Sequence, residues 1–265
     1  MTFVGVYREK EFSPGKVKED AAILDATLQA LSRMGHRFYT VEAEGLNDAF
    51  SDSPFILSMA QSARAMEVLE ARQMRGAKIL NSVTSVRNSY RKPLIRLLQN
   101  ADLPIPQSEV VATDNAERRI LSHGVYPCWL KRGDVHAMEP GDVKRIGSPG
   151  ELTAALPHFR ERKINEVLVQ EHIEGDVVKF YGAGRESYFS AFLESTGEEI
   201  TSEVEDLRRI ASRAAKAVGL EIYGGDAVVT ARRDVILIDV NDWPSFSRCR
   251  DAAATGIAAY VAGIL

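Results

Sequence analysis

The sequence predicts an α/β protein in which a small parallel α/β domain precedes a larger α+β module. Three observations predict this class. Strand-like and helix-like segments alternate over residues 1–85, which is typical of a parallel sheet with crossover helices. After residue 110 strand-like segments follow one another with few helices between them, which favours antiparallel sheets. The composition, 45% hydrophobic and 26% charged residues, is that of a folded globular chain.

The first domain alternates strands with helices. Its clearest helix repeats apolar residues at helical spacing, as in Ala21, Leu24, Leu28 and Leu31, and Gly35 follows as a C-cap. The predicted elements are strands at 2–7, 37–41, 54–58 and 77–80 and helices at 18–34 and 62–74.

The second module, residues 86–265, is predicted to contain mostly antiparallel strands. Its clearest helix covers 203–218, with Leu207 and Ile210 on the apolar face and Gly219 closing the helix. The other predicted elements are helices at 88–100 and near the C terminus and strands at 125–131, 143–146, 167–173, 177–181, 226–229 and 235–240.

Charge and cysteine content exclude several classes of protein. The net charge is −4, which argues against a nucleic-acid partner bound through bulk charge. The two cysteines, Cys128 and Cys249, cannot form a disulfide framework and are typical of a reducing compartment. No signal peptide or segment of about 20 apolar residues is visible, so we expect no membrane partner and a cytoplasmic location. A homo-oligomer is left open.

Two neighbouring strands carry oxygen ligands. Asp226 is expected at the head of one buried strand, and Asp239 and Asn241 at the end of the next. Side chains two residues apart on a strand share a face, so the three can converge. Carboxylates with open positions suit Mg²⁺, with Mn²⁺ as an alternative ion. The alternative is a strand-end aspartate followed by a turn asparagine, which is common in proteins without a metal.

A polar turn follows an apolar strand at residues 167–176. Such a turn offers backbone N–H and C=O groups to a flat heterocycle, and its carboxylates suit an amino group or sugar hydroxyls. An ordinary edge strand can end in the same way. The residues concerned are Gln170, Glu171, His172, Ile173 and Asp176.

Three lysines are candidates for binding an anion. Lys92 opens a helix, Lys131 ends an apolar strand, and Lys179 lies within a strand. A lysine at a core-facing position usually needs an anionic partner, and phosphate suits its flexible point charge. For any single lysine, an ordinary solvated side chain is the alternative.

In this order, these pieces resemble the ATP-grasp superfamily, with the glutathione-synthetase-like ATP-binding fold. The resemblance covers residues 86–265 and rests on Lys92 with the following 97–106 segment, Lys131, the 170–173 turn, Asp176, Asp226, Asp239 and Asn241. It implies an ATP cleft between subdomains of about 86–170 and 171–265. It also implies that residues 1–85 form the small α/β domain that commonly precedes this module.

The resemblance also implies a role for each position. Lys92 and Lys131 would hold the ATP phosphates. Glu171 would face the adenine amino group, and the backbone of His172 and Ile173 the ring edge. Asp176 would bind the ribose. Mg²⁺ would be held by Asp226, Asp239 and Asn241.

Two features depart from the family pattern. The segment after Lys131 has fewer glycines than the usual phosphate loop and adds Arg132, His136 and Glu139. Carboxylate–amine ligases of the superfamily often have an arginine two residues before the first metal-binding aspartate, where this chain has Gly224. In this respect the chain is similar to ATP-grasp inositol-phosphate kinases, although the larger resemblance is to ribosomal-protein-glutamate-ligase-like enzymes.

Three functions follow from the resemblance. The first is a Mg-ATP-dependent ligase that activates a carboxylate as an acyl phosphate for attack by an amine or another nucleophile, with Arg132 and Arg248 among the candidate carboxylate-binding cations. The second is a small-molecule kinase with His136 and Lys179 near an anionic hydroxyl substrate. The third is a nucleotide-binding module without turnover, against which the intact Asp226, Asp239 and Asn241 set argues. The acceptor, a small molecule or peptide, is expected to be anionic.

Overall fold

The computed structural model describes residues 1–47, 54–123, 126–184 and 187–265. The first domain contains a parallel sheet with the strand order β2-β1-β3-β4. The strands are β1 (Thr2–Tyr7), β2 (Arg37–Glu42), β3 (Phe55–Ser58) and β4 (Lys78–Leu80), and the helices are α1 (Val17–Arg33), α2 (Ala63–Met74) and α3 (Val83–Asn88). The predicted parallel α/β layer is confirmed.

Two antiparallel sheets follow. The order β5-β8-β6-β7 forms one, and β10-β9-β11-β12 forms the other. Their strands are β5 (Ser108–Ala112), β6 (Cys128–Arg132), β7 (Val143–Ile146), β8 (Glu166–Glu171), β9 (Asp176–Ala183), β10 (Tyr188–Leu193), β11 (Ile222–Val229) and β12 (Val235–Asp242). The remaining helices are α4 (Arg91–Asn100), α5 (Ala116–His123), α6 (Pro149–Glu161), α7 (Val204–Val218) and α8 (Arg250–Gly263).

The first domain and the last sheet share one hydrophobic core. Phe3 and Leu28 belong to the same buried cluster as Trp243, Phe246 and Ile257. This packing explains the apolar C-terminal helix, because α8 lies against α1. The cluster fixes the first domain over the end of β12, where the candidate site begins.

A buried polar network reinforces this contact. Asp242, at the end of β12, accepts hydrogen bonds from Asn81 at 2.6 Å and Gln61 at 2.8 Å. Arg8 donates to the backbone oxygens of Asp242 and Trp243. Burial raises the pKa of Asp242 to about 6, against the effect of Arg8 and the two amides. Buried polar groups that are fully paired in this way favour one domain arrangement.

Two predicted elements need correction. The helix predicted at 88–100 is interrupted, because α3 ends at Asn88 and α4 begins at Arg91. The strand predicted from Asp226 begins at Ile222, so Asp226 lies in mid-strand rather than at its head. Glycine weakens the sequence signal for a strand, and Gly224 and Gly225 hid this start. Val125 of the predicted 125–131 strand lies outside the described residues.

In the described part of the chain, no helix combines the length and apolar character needed to span a bilayer.

Candidate active site

A cleft of about 290 Å³ lies where the last sheet meets the first domain. The last sheet contributes Lys179, Asp226 and Asn241 to its walls. The opposite wall includes Arg8 of the first domain, and His136 reaches the cleft from the segment between β6 and β7. That segment, residues 133–142, is called the cleft loop below. Four residues that were candidates from the sequence, Lys179, Asp226, Asn241 and His136, therefore line one cavity.

The two predicted metal-binding aspartates are direct cross-strand neighbours. Asp226 of β11 pairs with Asp239 of β12, and Asn241 pairs with Gly224. Their side chains share one face of the sheet because Asn241 lies two residues beyond Asp239. Position 225 next to this pair has no room for a side chain, because a Cβ atom on Gly225 would lie 2.0 Å from the Asp239 backbone oxygen.

Asp239 is a largely buried carboxylate that lies opposite the cleft residue Asp226 on the neighbouring strand. Its carboxylate accepts a hydrogen bond from Arg91 at 3.2 Å. Burial opposes its ionisation, but the positive charges of Arg91 and Lys131 outweigh burial and hold the pKa of Asp239 below its usual value. Two carboxylates and an amide oxygen on one face are a donor set that Mg²⁺ prefers. Without counting amide oxygens, the described residues contain no cluster of three histidine, cysteine, aspartate or glutamate side chains suited to a metal.

Lys131 is a buried cation aimed at the same place. Its ammonium donates to Gln170 Oε1 at 2.7 Å, and the Gln170 amide donates to Ser108 Oγ and to the Ile238 backbone oxygen. Burial, followed by the like charge of Arg91, lowers the pKa of Lys131 to about 8. A buried lysine whose charge is so weakly stabilised is suited to receiving an anionic ligand. Gln170 thus positions Lys131 from within the sheet.

Arg91 is a site residue that the sequence interpretation missed. It is 4% exposed and pairs with Asp239. Lys92, which had been assigned to a phosphate, has a side chain that is 62% exposed and pairs with Glu166 on the surface. A sequence signal existed, because the buried face of α4 consists of Arg91, Leu94, Ile95 and Leu98. Arg91 lies on that helical stripe, whereas Lys92 does not.

His136 enters the cleft without a hydrogen-bond partner. Both ring nitrogens are buried, and neither has a partner among the described residues. Burial lowers the pKa of His136 to about 4 against the attraction of Asp239. The imidazole is therefore neutral near pH 7 and has one N–H donor and one acceptor available. Such an unsatisfied buried group usually marks a ligand position or a bound water.

Lys179 stands beside Asp226 on the neighbouring strand. Its ammonium lies 2.9 Å from Asp226 and 3.2 Å from Glu194. Burial works against its charge, but the two carboxylates outweigh burial and raise the pKa of Lys179. It therefore remains cationic in the cleft, and its role near an anionic substrate stays a prediction.

The predicted adenine turn links the two antiparallel sheets. The carboxylate of Glu171 accepts from the backbone N–H of Gln107 at 3.2 Å. His172 accepts from Trp129 Nε1 at 3.0 Å. Ile173 is half-buried, and Asp176 is exposed at the start of β9. The turn is thus held by β5 and β6, and the roles of its residues toward adenine and ribose stay predictions.

Two predicted catalytic arginines have structural partners instead. Arg132 is 7% exposed and is bound by the carboxylates of Asp134 and Asp142 in the cleft loop. Arg248 donates to the backbone oxygens of Leu193 and Glu194 at the end of β10. The sequence shows that arginines are near the site but not which anion or carbonyl each one meets. Neither arginine lines the cleft.

Comparison with known proteins agrees with this geometry. No protein-family model matches the chain. The crystal structure of a RimK domain ATP-grasp protein from Sphaerobacter thermophilus superposes with a TM-score of 0.77 at 22% identity, covering 98% of this chain and 100% of that one. The chain has the ATP-grasp fold. The fold implied by the sequence resemblance is therefore confirmed.

Two proteins that are named as ligases are also similar to this chain over most of their length. A probable alpha-L-glutamate ligase of Haemophilus influenzae is 24% identical over 244 residues, which cover 84% of this chain and 79% of the relative. The D-alanine–D-alanine ligase of Bacillus anthracis in complex with ATP has a TM-score of 0.75 at 12% identity, covering 100% of this chain and 98% of that one. The ATP-grasp fold thus accommodates ATP in a protein of nearly the same outline.

Proposed function

We propose that this protein is an ATP-dependent ligase that joins a carboxylate to an amine in the cleft between its sheets. The observation that supports this most is the buried group of Arg91, Lys131 and Asp239, where two cations and a carboxylate meet next to the cleft residue Asp226. Two of the similar proteins, the probable alpha-L-glutamate ligase and the D-alanine–D-alanine ligase, are named as ligases of an amino acid. The kinase alternative is not favoured by these relatives.

In the proposed reaction, the substrate carboxylate takes the γ-phosphoryl group of ATP to give an acyl phosphate and ADP. The amine then attacks the acyl carbon, loses a proton and displaces phosphate. Catalysis of this kind depends on positioning and charge neutralisation. Arg91 and Lys131 would neutralise the phosphates, and His136 would offer its N–H to a phosphate oxygen from the cleft loop. Lys179 and Arg8 line the part of the cleft left for the carboxylate substrate.

Asp226, Asp239 and Asn241 would hold Mg²⁺, or Mn²⁺ in its place. When bound, the metal neutralises phosphate charge and polarises the transferred group. The residues fit this ion because both carboxylates share a face and the amide oxygen lies next to them. Arg91 pairs with Asp239, and Lys179 pairs with Asp226.

The experiment that tests the ligase assignment is a screen for ADP release with Mg-ATP, using amino acids and short acidic peptides as carboxylate donors and amino acids as amines. A ligase releases ADP and phosphate in equal amounts only when both substrates are present, and the amide product is found by mass spectrometry. ADP release with a hydroxyl substrate alone, with a phosphorylated product, would identify the kinase instead. Nucleotide binding with no turnover across the screen would favour the binding module.

Lys131 should take up a proton when nucleotide binds. Because its pKa is about 8, the Lys131 side chain is neutral in most molecules at pH 8.5. Phosphate groups, already ionised at this pH, would stabilise the cation and raise the pKa. We therefore expect proton uptake at pH 8.5 and almost none from this group at pH 6.5. Calorimetric titrations in two buffers of different ionisation enthalpy measure this proton uptake.

Lys131→Arg is the control for this measurement, because arginine stays protonated. Equal uptake by that variant would show that another group titrates.

A further inference from the structure

We propose that Asp142 is a positioning residue that holds the cleft loop closed and thereby keeps His136 inside the cleft. Asp142 is fully buried at the last position of the loop, six residues beyond His136. It does not line the cleft. Any influence on the reaction must therefore pass through the loop.

The Asp142 carboxylate accepts hydrogen bonds from two backbone N–H groups and two arginines, and Nε2 of His158 in α6 lies 3.5 Å from it. Within the loop it accepts from the backbone N–H groups of Met138 at 2.9 Å and Glu139 at 3.1 Å. From outside it accepts from Arg132 at 3.2 Å and from Arg162, just beyond α6. These contacts tie the middle of the loop to β6 and to α6. Charge-assisted hydrogen bonds to a buried carboxylate are among the strongest in a protein.

The two ends of the loop are tied by backbone contacts as well. The N–H of Arg132 donates to the Asp142 backbone oxygen at 2.9 Å, and Gly133 donates to Glu166 at 2.8 Å. Gly133 lies so close to β8 that a Cβ atom would be 2.7 Å from the Glu166 backbone. The loop is therefore closed at its base, and Asp142 determines how its tip is folded.

The Asp142 network opposes a tendency of His136 to move into solvent. Two buried ring nitrogens without a partner would gain hydrogen bonds to water if the loop opened. The imidazole stays in the cleft because the Met138 and Glu139 end of the loop is anchored at Asp142. Removing the negative charge of Asp142 should therefore release His136 to solvent while the rest of the fold stays closed.

Carbethoxylation by diethyl pyrocarbonate, followed by peptide mass mapping, tests this release without any nucleotide. In Asp142→Asn we expect His136 to be modified about ten times faster or more than in the wild type, because local opening limits the reaction. His36 is the internal reference, since its Nδ1 is also buried but it packs on Phe3 in the first domain. Glu139→Gln is the matched control, because Glu139 pairs with the same Arg162 from an exposed position. We expect the His136 rate in this variant to stay at the wild-type value.

An unchanged His136 rate in folded Asp142→Asn would overturn the proposal. So would an equal rise at His136 and His36, which would show general loosening. If Asp142→Asn does not fold, Arg162→Gln removes a single donor from the network and should raise the His136 rate in the same direction. No rise in that variant would also overturn the proposal.

The consequence for catalysis rests on the proposed function and has its own readout. Asp142→Asn should weaken binding of a non-hydrolysable ATP analogue in the wild-type background but not in a His136→Ala background, because coupled residues give non-additive effects. Additive losses would contradict action through His136. If the labelling result holds and no nucleotide binds at all, the ATP assignment fails while the role of Asp142 in holding the loop stands.

Discussion

Asp239→Asn is expected to abolish the magnesium-dependent part of nucleotide binding. Asparagine keeps the size of the side chain but removes the charge that a hard cation requires. Asp239 and Asp226 are the paired carboxylates on this face of the sheet, so one of two anionic ligands is lost. We expect ADP formation in the presence of both substrates to fall about 100-fold or more, as for other groups that stabilise transition-state charge.

Calorimetric titration of a non-hydrolysable ATP analogue, with and without Mg²⁺, measures this effect. Asp234→Asn is the matched control, because Asp234 is an exposed carboxylate in the turn of the same hairpin. The titration must be made below the melting temperature of the variant. Breaking the buried Arg91–Asp239 pair should reduce the free energy of unfolding by about 3–5 kcal/mol. A variant that keeps the wild-type gain in affinity from Mg²⁺ would refute the assignment of Asp239.

Arg91→Met should weaken nucleotide binding, whereas Lys92→Met should leave it almost unchanged. The Arg91 guanidinium is buried beside Asp239 and Lys131, where a phosphate would be desolvated. Losing one charge-assisted contact of about 1.5–3 kcal/mol raises the dissociation constant roughly 10- to 150-fold. Lys92 makes one surface ion pair with Glu166, and such pairs contribute little.

The two adjacent substitutions remove the same formal charge, so the comparison separates position from net charge. Equilibrium binding of a fluorescent ATP analogue gives both dissociation constants under one set of conditions. Urea unfolding of each variant shows whether a loss of affinity reflects a loss of fold. If Lys92→Met loses affinity and Arg91→Met does not, the sequence-based assignment was correct and the buried guanidinium has another role.

The fold could be predicted from the sequence because hydrophobic periodicity and motif order are spread over many residues. The parallel first sheet and the β11–β12 hairpin followed from short apolar runs. The start of β11 was predicted wrongly because glycine occurs both in turns and inside strands. Gly224 and Gly225 looked like a break but lie within β11, where the close approach of neighbouring backbone leaves no room for a side chain.

The candidate site could be predicted only in part, because the sequence shows where a charged side chain is but not which group it pairs with in the fold. Lys131 and Asp239 were selected as candidates from their place at the ends of apolar strands, and the structure brings both close to Arg91. The role of Arg132 was not predicted, because its partner Asp142 lies at the far end of the cleft loop and is brought close only by the pairing of β6 with β7. Arg248 meets backbone oxygens of β10, which no sequence motif records.

The most direct test of the central claim is binding of a non-hydrolysable ATP analogue to the wild-type protein with and without Mg²⁺, measured by calorimetry and by the melting temperature. The account predicts one site per chain, with tighter binding when Mg²⁺ is present. At a hundredfold excess over the dissociation constant, a ligand of the folded state adds about 2.7 kcal/mol of stability. No binding under either condition would contradict it, and Asp226 and Asp239 would then be strand residues satisfied by Lys179 and Arg91.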